Sequence, residues 1–253
     1  MKKGYALINT VVIALVIFWN YYSNTGNIGS ATVGELSDKY ANLFTPAGYA
    51  FAIWGIIFLG LIVLAVNQLR LAFSNNQTDD SIERIGPWLI LANIGNGAWL
   101  WFWLNEQTGI SVLVMFTILF SLMQAVLRLG IGSRKVANST LVATWWPIGI
   151  YTGWISVATI ANITAYLAKI EWSFLFTELQ WTFIMISIAA ILNLFMVLKK
   201  NMTSFGVVGI WALTAIAAKH WNQIELIQWT AISWTVLLTA SILAQKVKQF
   251  KAE

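Results

Sequence analysis

Apolar positions along this chain come in long unbroken runs, with polar residues gathered between them. Eight runs stand out: Tyr5–Tyr22, Ala47–Leu69, Gly86–Leu104, Gly109–Leu129, Thr140–Leu167, Leu179–Leu198, Met202–Ala218 and Ile224–Ala244. Each run holds roughly 17–28 residues, uncharged except for Arg128 and Glu225 next to a run's end, and about 20 residues at 1.5 Å each cross a ~30 Å hydrocarbon layer. Strands of a membrane barrel would instead alternate over ~10 residues. The pattern therefore predicts an all-α fold, a polytopic membrane helix bundle of about eight transmembrane helices. The seventh run is the shortest.

Positive charge orients these spans, because cytoplasmic loops collect Lys and Arg. With the N-terminus inside, the inner set is Lys2, Lys3, Arg70, Arg84, Arg128, Arg134, Lys135, Lys199, Lys200, Lys246, Lys248 and Lys251. The outer set is Lys39, Lys169 and Lys219. An even number of spans puts both termini inside. Lys2 and Lys3 before an apolar run resemble a signal peptide, but the run continues to Tyr22 without a small-residue cleavage site, so an uncleaved first helix is expected.

Composition sharpens the exclusions. Hydrophobic residues make up 58% and charged residues 10%, against about 25% charged in soluble domains. That excludes a soluble globule and a disordered chain, and the lack of cysteine excludes a disulfide scaffold or a zinc-cysteine site. The net charge of +5 reads as an inner face near anionic headgroups; no nucleic acid partner is expected. Every ionisable residue lies in a loop or within about a turn of a span end, which leaves a buried proton relay without members. Asp79, Asp80, Glu83 and Arg84 read as a solvated charge cluster, His220 as an interfacial loop residue. No catalytic residue and no metal ligand is expected.

The spans do carry tryptophan, fifteen in all. Trp19, Trp88, Trp101, Trp103, Trp172, Trp181, Trp221 and Trp229 suit an interfacial belt. Trp54, Trp99, Trp154, Trp211 and Trp234 lie within spans, where an indole N–H needs a partner that hydrocarbon lacks. Three spans share one spacing. Span two has Phe51, Trp54 and Phe58, span three Asn96, Trp99 and Trp103, and span five Tyr151, Trp154 and Ala158 with Asn162 four residues on. Each set occupies one helical face. Counted from the outer helix ends, Trp54 lies roughly 10 Å deep, Trp99 and Asn162 roughly 8 Å, and Trp154 roughly 20 Å. Converging faces would enclose an aromatic pocket with a few amide and indole donors, suited to a flat apolar ligand with one polar edge. Plain helix packing, with the asparagines bonding across helices, is the competing reading.

These residues resemble the TspO/MBR family of tryptophan-rich sensory or translocator proteins. Phe44-Thr45-Pro46-Ala47-Gly48-Tyr49-Ala50-Phe51, then Trp54-Gly55 and Phe58, are similar to the family's Pro-Pro-x-Trp-x-Phe and Trp-x-x-x-Tyr motifs. Asn96-x-x-Trp99 and Tyr151-x-x-Trp154-x-x-x-Ala158-x-x-x-Asn162 match its third and fifth helices. Departures are Ala47 for the second proline, Tyr49 for the first tryptophan, Phe58 for tyrosine and Ile150 for the proline before Tyr151. The resemblance covers residues 1–169 and implies a five-helix ligand-binding core there, with 170–253 adding three more transmembrane helices.

The resemblance implies a pocket of Phe51, Trp54, Phe58, Asn96, Trp99, Tyr151, Trp154, Ala158 and Asn162 under a loop lid bearing Phe44 and Pro46. Its ligand would be a porphyrin or haem-like molecule, with no cofactor required. The expected function is that of an integral membrane receptor, carrier or sensor. Alternatives are an enzyme degrading a bound tetrapyrrole, or an assembly subunit without a ligand. Expected partners are membrane lipids and a hydrophobic small molecule, with a homodimer left open. A bacterial inner membrane fits the lysine-rich inner face and the family.

Overall fold

Each apolar run becomes a long helix. The structure, a computed structural model, describes residues 1–29, 31–74 and 79–250. The long helices are α1 (Lys2–Tyr22), α2 (Ile53–Phe73), α3 (Trp88–Leu104), α4 (Thr108–Leu129), α5 (Trp146–Lys169), α6 (Glu178–Lys200), α7 (Thr203–Lys219) and α8 (Glu225–Phe250), with short helical turns at Val33–Lys39, Ser81–Ile85 and Asn138–Thr140. Among the described residues no strand forms, only an isolated bridge between Phe174 and Phe176. By length and apolarity, Lys2–Thr25, Gly48–Phe73, Thr108–Leu129, Asn138–Lys169, Glu178–Lys200 and Glu225–Lys248 can cross a membrane. The two 17-residue helices, α3 and α7, are shorter. Outward-facing Leu15, Leu59, Leu113, Phe195 and Val236 are exposed. Such a surface would aggregate in water, and in a bilayer it is the lipid contact.

Helix contacts give a ring. α1 lies against α2 and α3, α3 against α4, α4 against α5, and α5 against α2, closing the circuit in the order 1-2-5-4-3. Outside the ring, α7 packs on α5 and holds α6 and α8 on its other sides. α7 thus stands at the centre of the C-terminal trio. Its contact with α5 rests on Gly149 and Gly153, four residues apart. A Cβ at Gly153 would stand 3.1 Å from the Phe205 carbonyl oxygen and 3.2 Å from the Phe205 Cα. Small residues at this spacing let two backbones approach inside a membrane, where apolar burial supplies no drive.

Two local breaks shape the ring. The fifth span starts with a π turn, Leu141–Trp145, just before Pro147. Proline has no N–H to give and crowds the carbonyl four residues back, so the helix widens there. A Cβ at Gly60 of α2 would approach the Pro147 ring at 3.2 Å. α1 likewise ends in a π turn, Ser23–Asn27.

The ends of the bundle sort the charges. At one end Lys39 pairs with Glu106 at 2.7 Å, the Tyr40 hydroxyl donates to the same carboxylate, and Lys169 Nζ donates to the Glu106 carbonyl. At the other, Asp80 meets Arg84 at 2.5 Å and Arg134 at 3.3 Å. Thr140 donates to Asp79 at 2.7 Å. Burial pulls both carboxyls upward, but hydrogen bonds from Ser81 and Thr140 to Asp79, and from Arg84 and Arg134 to Asp80, outweigh it and hold both low. Asp79 and Asp80 are ionised staples between loops. Lys251, counted with the inner charges, lies outside the described residues.

Candidate functional site

The aromatic faces of α2, α3 and α5 meet inside the ring. Phe58, Trp54, Trp99 and Trp103 form one run of near-parallel rings. Successive centroids lie 5.5, 6.4 and 6.1 Å apart, with interplanar angles of 26°, 25° and 18°. Tyr151 and Trp154 stand edge-on to Trp54, with centroids at 6.2 and 6.5 Å. Phe51 stands edge-on to Trp154 at 6.2 Å. Both arrangements suit the ring quadrupole, which favours offset stacks and edge contacts. The Trp54–Trp99 contact bridges two helices that are not neighbours in the ring, so the stack crosses its interior.

Trp54 and Trp154 therefore share one level, where rise per residue had set them about 10 Å apart. The difference lies in how span two begins. Residues before Ile53 form a 3-10 turn, Gly48–Ala52, docked against α7. Its anchor is the Ala47 N–H, which donates to the Ala215 carbonyl at 3.1 Å. The chain dips into the bundle before α2 starts.

Polar groups beside the stack are mostly paired. Trp99 Nε1 donates to Asn162 Oδ1 at 2.9 Å. Asn162 Nδ2 donates to Ser111 Oγ at 2.9 Å, and Ser111 donates onward to the Thr108 carbonyl at 2.8 Å. Asn96 accepts from Asn20 of α1 at 3.0 Å. Trp211 Nε1 donates to the Ala50 carbonyl at 3.0 Å. Trp154 and Tyr151 are the exceptions: Trp154 is 2% exposed, and neither its indole N–H nor the buried Tyr151 hydroxyl has a partner among the described residues. An unpaired donor there costs free energy unless a guest or a water meets it.

Two cavities share the wall made by Phe51, Trp54 and Trp99. The inner one, about 50 Å³, is lined also by Pro46, Trp103, Trp154, Ala158 and Asn162. It has room for water but not for a drug-sized guest, which needs several hundred Å³. The outer one, about 420 Å³, lies between α1 and α2, where Ile17, Asn20, Tyr21, Asn24 and Phe58 join the wall. Among the described residues, no side chain that is charged at neutral pH lines either cavity.

The expected site residues thus fall into three groups. Phe51, Trp54, Trp99, Trp154, Ala158, Asn162 and Pro46 line the inner cavity, with Phe58 in the outer one. Asn96 and Tyr151 sit behind the wall, buried, as supports. Phe44 goes elsewhere: it is 1% exposed and packs with Ile186, Leu213 and Ile216 in the core of the trio. The α1 contribution was missed in the sequence reading. Its signal is the buried stripe Ala6, Asn9, Ile13, Val16 and Asn20, spaced by threes and fours.

A family model described as TSPO-like protein matches residues 6–244. The chain belongs to the TSPO-like protein family. Comparison with curated proteins and with solved structures gave no match. The match takes in α6, α7 and most of α8 as well as the ring. In this TSPO-like chain the C-terminal trio therefore falls within the family's own pattern, although the motifs that carry the resemblance end at Asn162. The protein is an integral membrane protein of the TspO type.

Proposed function

We propose that this TSPO-like protein is a receptor, carrier or sensor for a hydrophobic, planar ligand with a polar edge, a tetrapyrrole being the first to test. The observation that carries the reading is the near-parallel run Phe58–Trp54–Trp99–Trp103, with the unpaired Trp154 N–H beside it. Near-parallel indoles offer a flat guest two faces in one orientation. A cavity of 300–1,000 Å³ is the usual size for such a guest, so the outer recess of about 420 Å³ would take the bulk of it. Swinging Trp54 would join that recess to the inner cavity. Charged groups on the guest would have to reach the bundle's end, near Lys39 and Lys169.

The test is tryptophan quenching by a porphyrin added to the protein in nanodiscs. Saturable quenching is expected, with affinity about tenfold weaker in Trp54→Ala, the size of one lost stacking partner. Saturable binding that survives loss of Trp54, Trp99 and Trp154 together would rule the site out.

Both termini face the lysine-rich side, and the loop between α1 and α2 faces the other, in a bacterial inner membrane. Single cysteines report this directly, since the chain has none of its own. In right-side-out vesicles, Ser37→Cys should react with an impermeant maleimide and Ser133→Cys should not. The reverse result would invert the orientation.

A further inference from the structure

The segment that covers the inner cavity is held from its far side by the C-terminal trio, through main-chain hydrogen bonds and through the Phe44 ring buried in the core of the trio. The Leu43 N–H donates to the Glu178 carboxylate at 3.0 Å, at the start of α6. The Leu43 carbonyl lies 2.9 Å from His220 Nε2, just after α7. Four residues on, the Ala47 N–H reaches the Ala215 carbonyl, and the Ala50 carbonyl accepts from Trp211. Tyr49 also stands edge-on to Trp211, with centroids 5.4 Å apart. The other face of the same segment, through Thr45, Pro46 and Phe51, lines the inner cavity.

We infer that Trp211, His220 and Glu178 are positioning residues by which α6 and α7 keep this segment closed over the aromatic site, and that protonation of His220 releases it. The inference rests on the ligand-binding reading above for what the segment covers, but not for how it is held.

The chemistry of His220 supplies the switch. A carbonyl oxygen only accepts, so Nε2 carries the proton and neutral Nδ1 is left bare. Nδ1 is buried without a partner, and a second proton there would have no acceptor. Burial lowers its pKa, the Leu43 carbonyl raises it, Lys219 lowers it and Glu178 raises it; the balance is below the ordinary 6.5. Release returns the ring to water and to that ordinary value. The held state is therefore favoured above pH 6.5 and is lost as pH falls through the lowered value.

Hydrogen exchange of the Leu43 and Ala47 amides in the full chain in nanodiscs tests this. Corrected for intrinsic rates, both should exchange about three- to tenfold faster once pH has fallen through the lowered His220 value than above pH 6.5, the scale of one hydrogen bond. His220→Gln, which still offers an N–H but cannot titrate, should abolish that difference. Trp211→Phe should speed exchange at both pH values. Amides of α2 and α3 that keep wild-type protection show that each variant is folded. A pH dependence that persists in His220→Gln, or wild-type exchange in Trp211→Phe, overturns the inference. So does release of a bound porphyrin that ignores pH while the loop responds. A wild-type protein that binds no porphyrin at all counts against the proposed function alone.

Discussion

Trp154→Ala is expected to lose about 3 kcal/mol of stability in detergent, the low end of the range for deleting a buried aromatic. The low end applies because the membrane interior supplies no hydrophobic transfer term, so the loss comes from packing alone. Trp154 is 2% exposed and presses on Trp54 and Phe51. The hole left behind cannot close easily. Pro147 lodged against Gly60 fixes α2 to the fifth span, and α7 fixes α5 from behind. Trp154→Phe keeps a six-membered ring in place, and gives up the N–H that has no partner together with three heavy atoms of buried packing. It should cost about 1–2 kcal/mol, less than the alanine variant because only part of the buried volume is removed. If the indole serves the ligand, the phenylalanine variant loses porphyrin affinity as the alanine variant does while keeping more of the wild-type stability. Paired unfolding curves and porphyrin titrations of the two variants separate packing from recognition. A phenylalanine variant that binds porphyrin as tightly as the wild type would end the role of the indole N–H toward a ligand.

That pairing also marks how far the residues alone could lead. Unbroken apolar runs fix helices because an unsatisfied peptide group in hydrocarbon costs too much, and all eight expected spans are helices. Spacing of three and seven residues fixed which rings share a face, and Trp54, Trp99, Tyr151 and Trp154 do meet. Spacing cannot say which helix a face will meet, so Asn20 and the recess beside α1 were not anticipated. Nor does a side-chain pattern reveal bonds made by main-chain atoms. The route of residues 43–50 is set by the Leu43, Ala47 and Ala50 peptide groups, whose identities carry no such signal. Phe44, read as part of a lid over the site, instead anchors that route inside the trio. The Gly149 and Gly153 pair was legible in principle, since its spacing is a known helix-contact pattern.

The Gly153 contact yields the other large effect. A methyl group at Gly153 would meet the Phe205 carbonyl oxygen, the Phe205 Cα and the Val208 Cβ, all at 3.1–3.2 Å. Two of these are backbone atoms of α7, which can yield only if the whole helix shifts. At Gly149 the nearest atom is Ser204 Oγ, with Ser204 Cβ next at 3.2 Å, and a hydroxyl can turn aside. Gly149→Ala should therefore be tolerated better than Gly153→Ala, which should cost about 1–3 kcal/mol as other overpacked sites do. Gly153→Leu goes further and wedges α7 away from α5. Because α6 and α7 hold the segment over the site, that segment must then either follow α7 or lose its bonds. The expected result is fast exchange at Leu43 and Ala47 at every pH, together with preserved protection in α1, α3 and α4. Such a profile would separate the ring, which stands on its own contacts, from the cover, which depends on the trio. Uniform loss of protection in Gly153→Leu would show instead that ring and trio form one cooperative unit, with no independent cover to release.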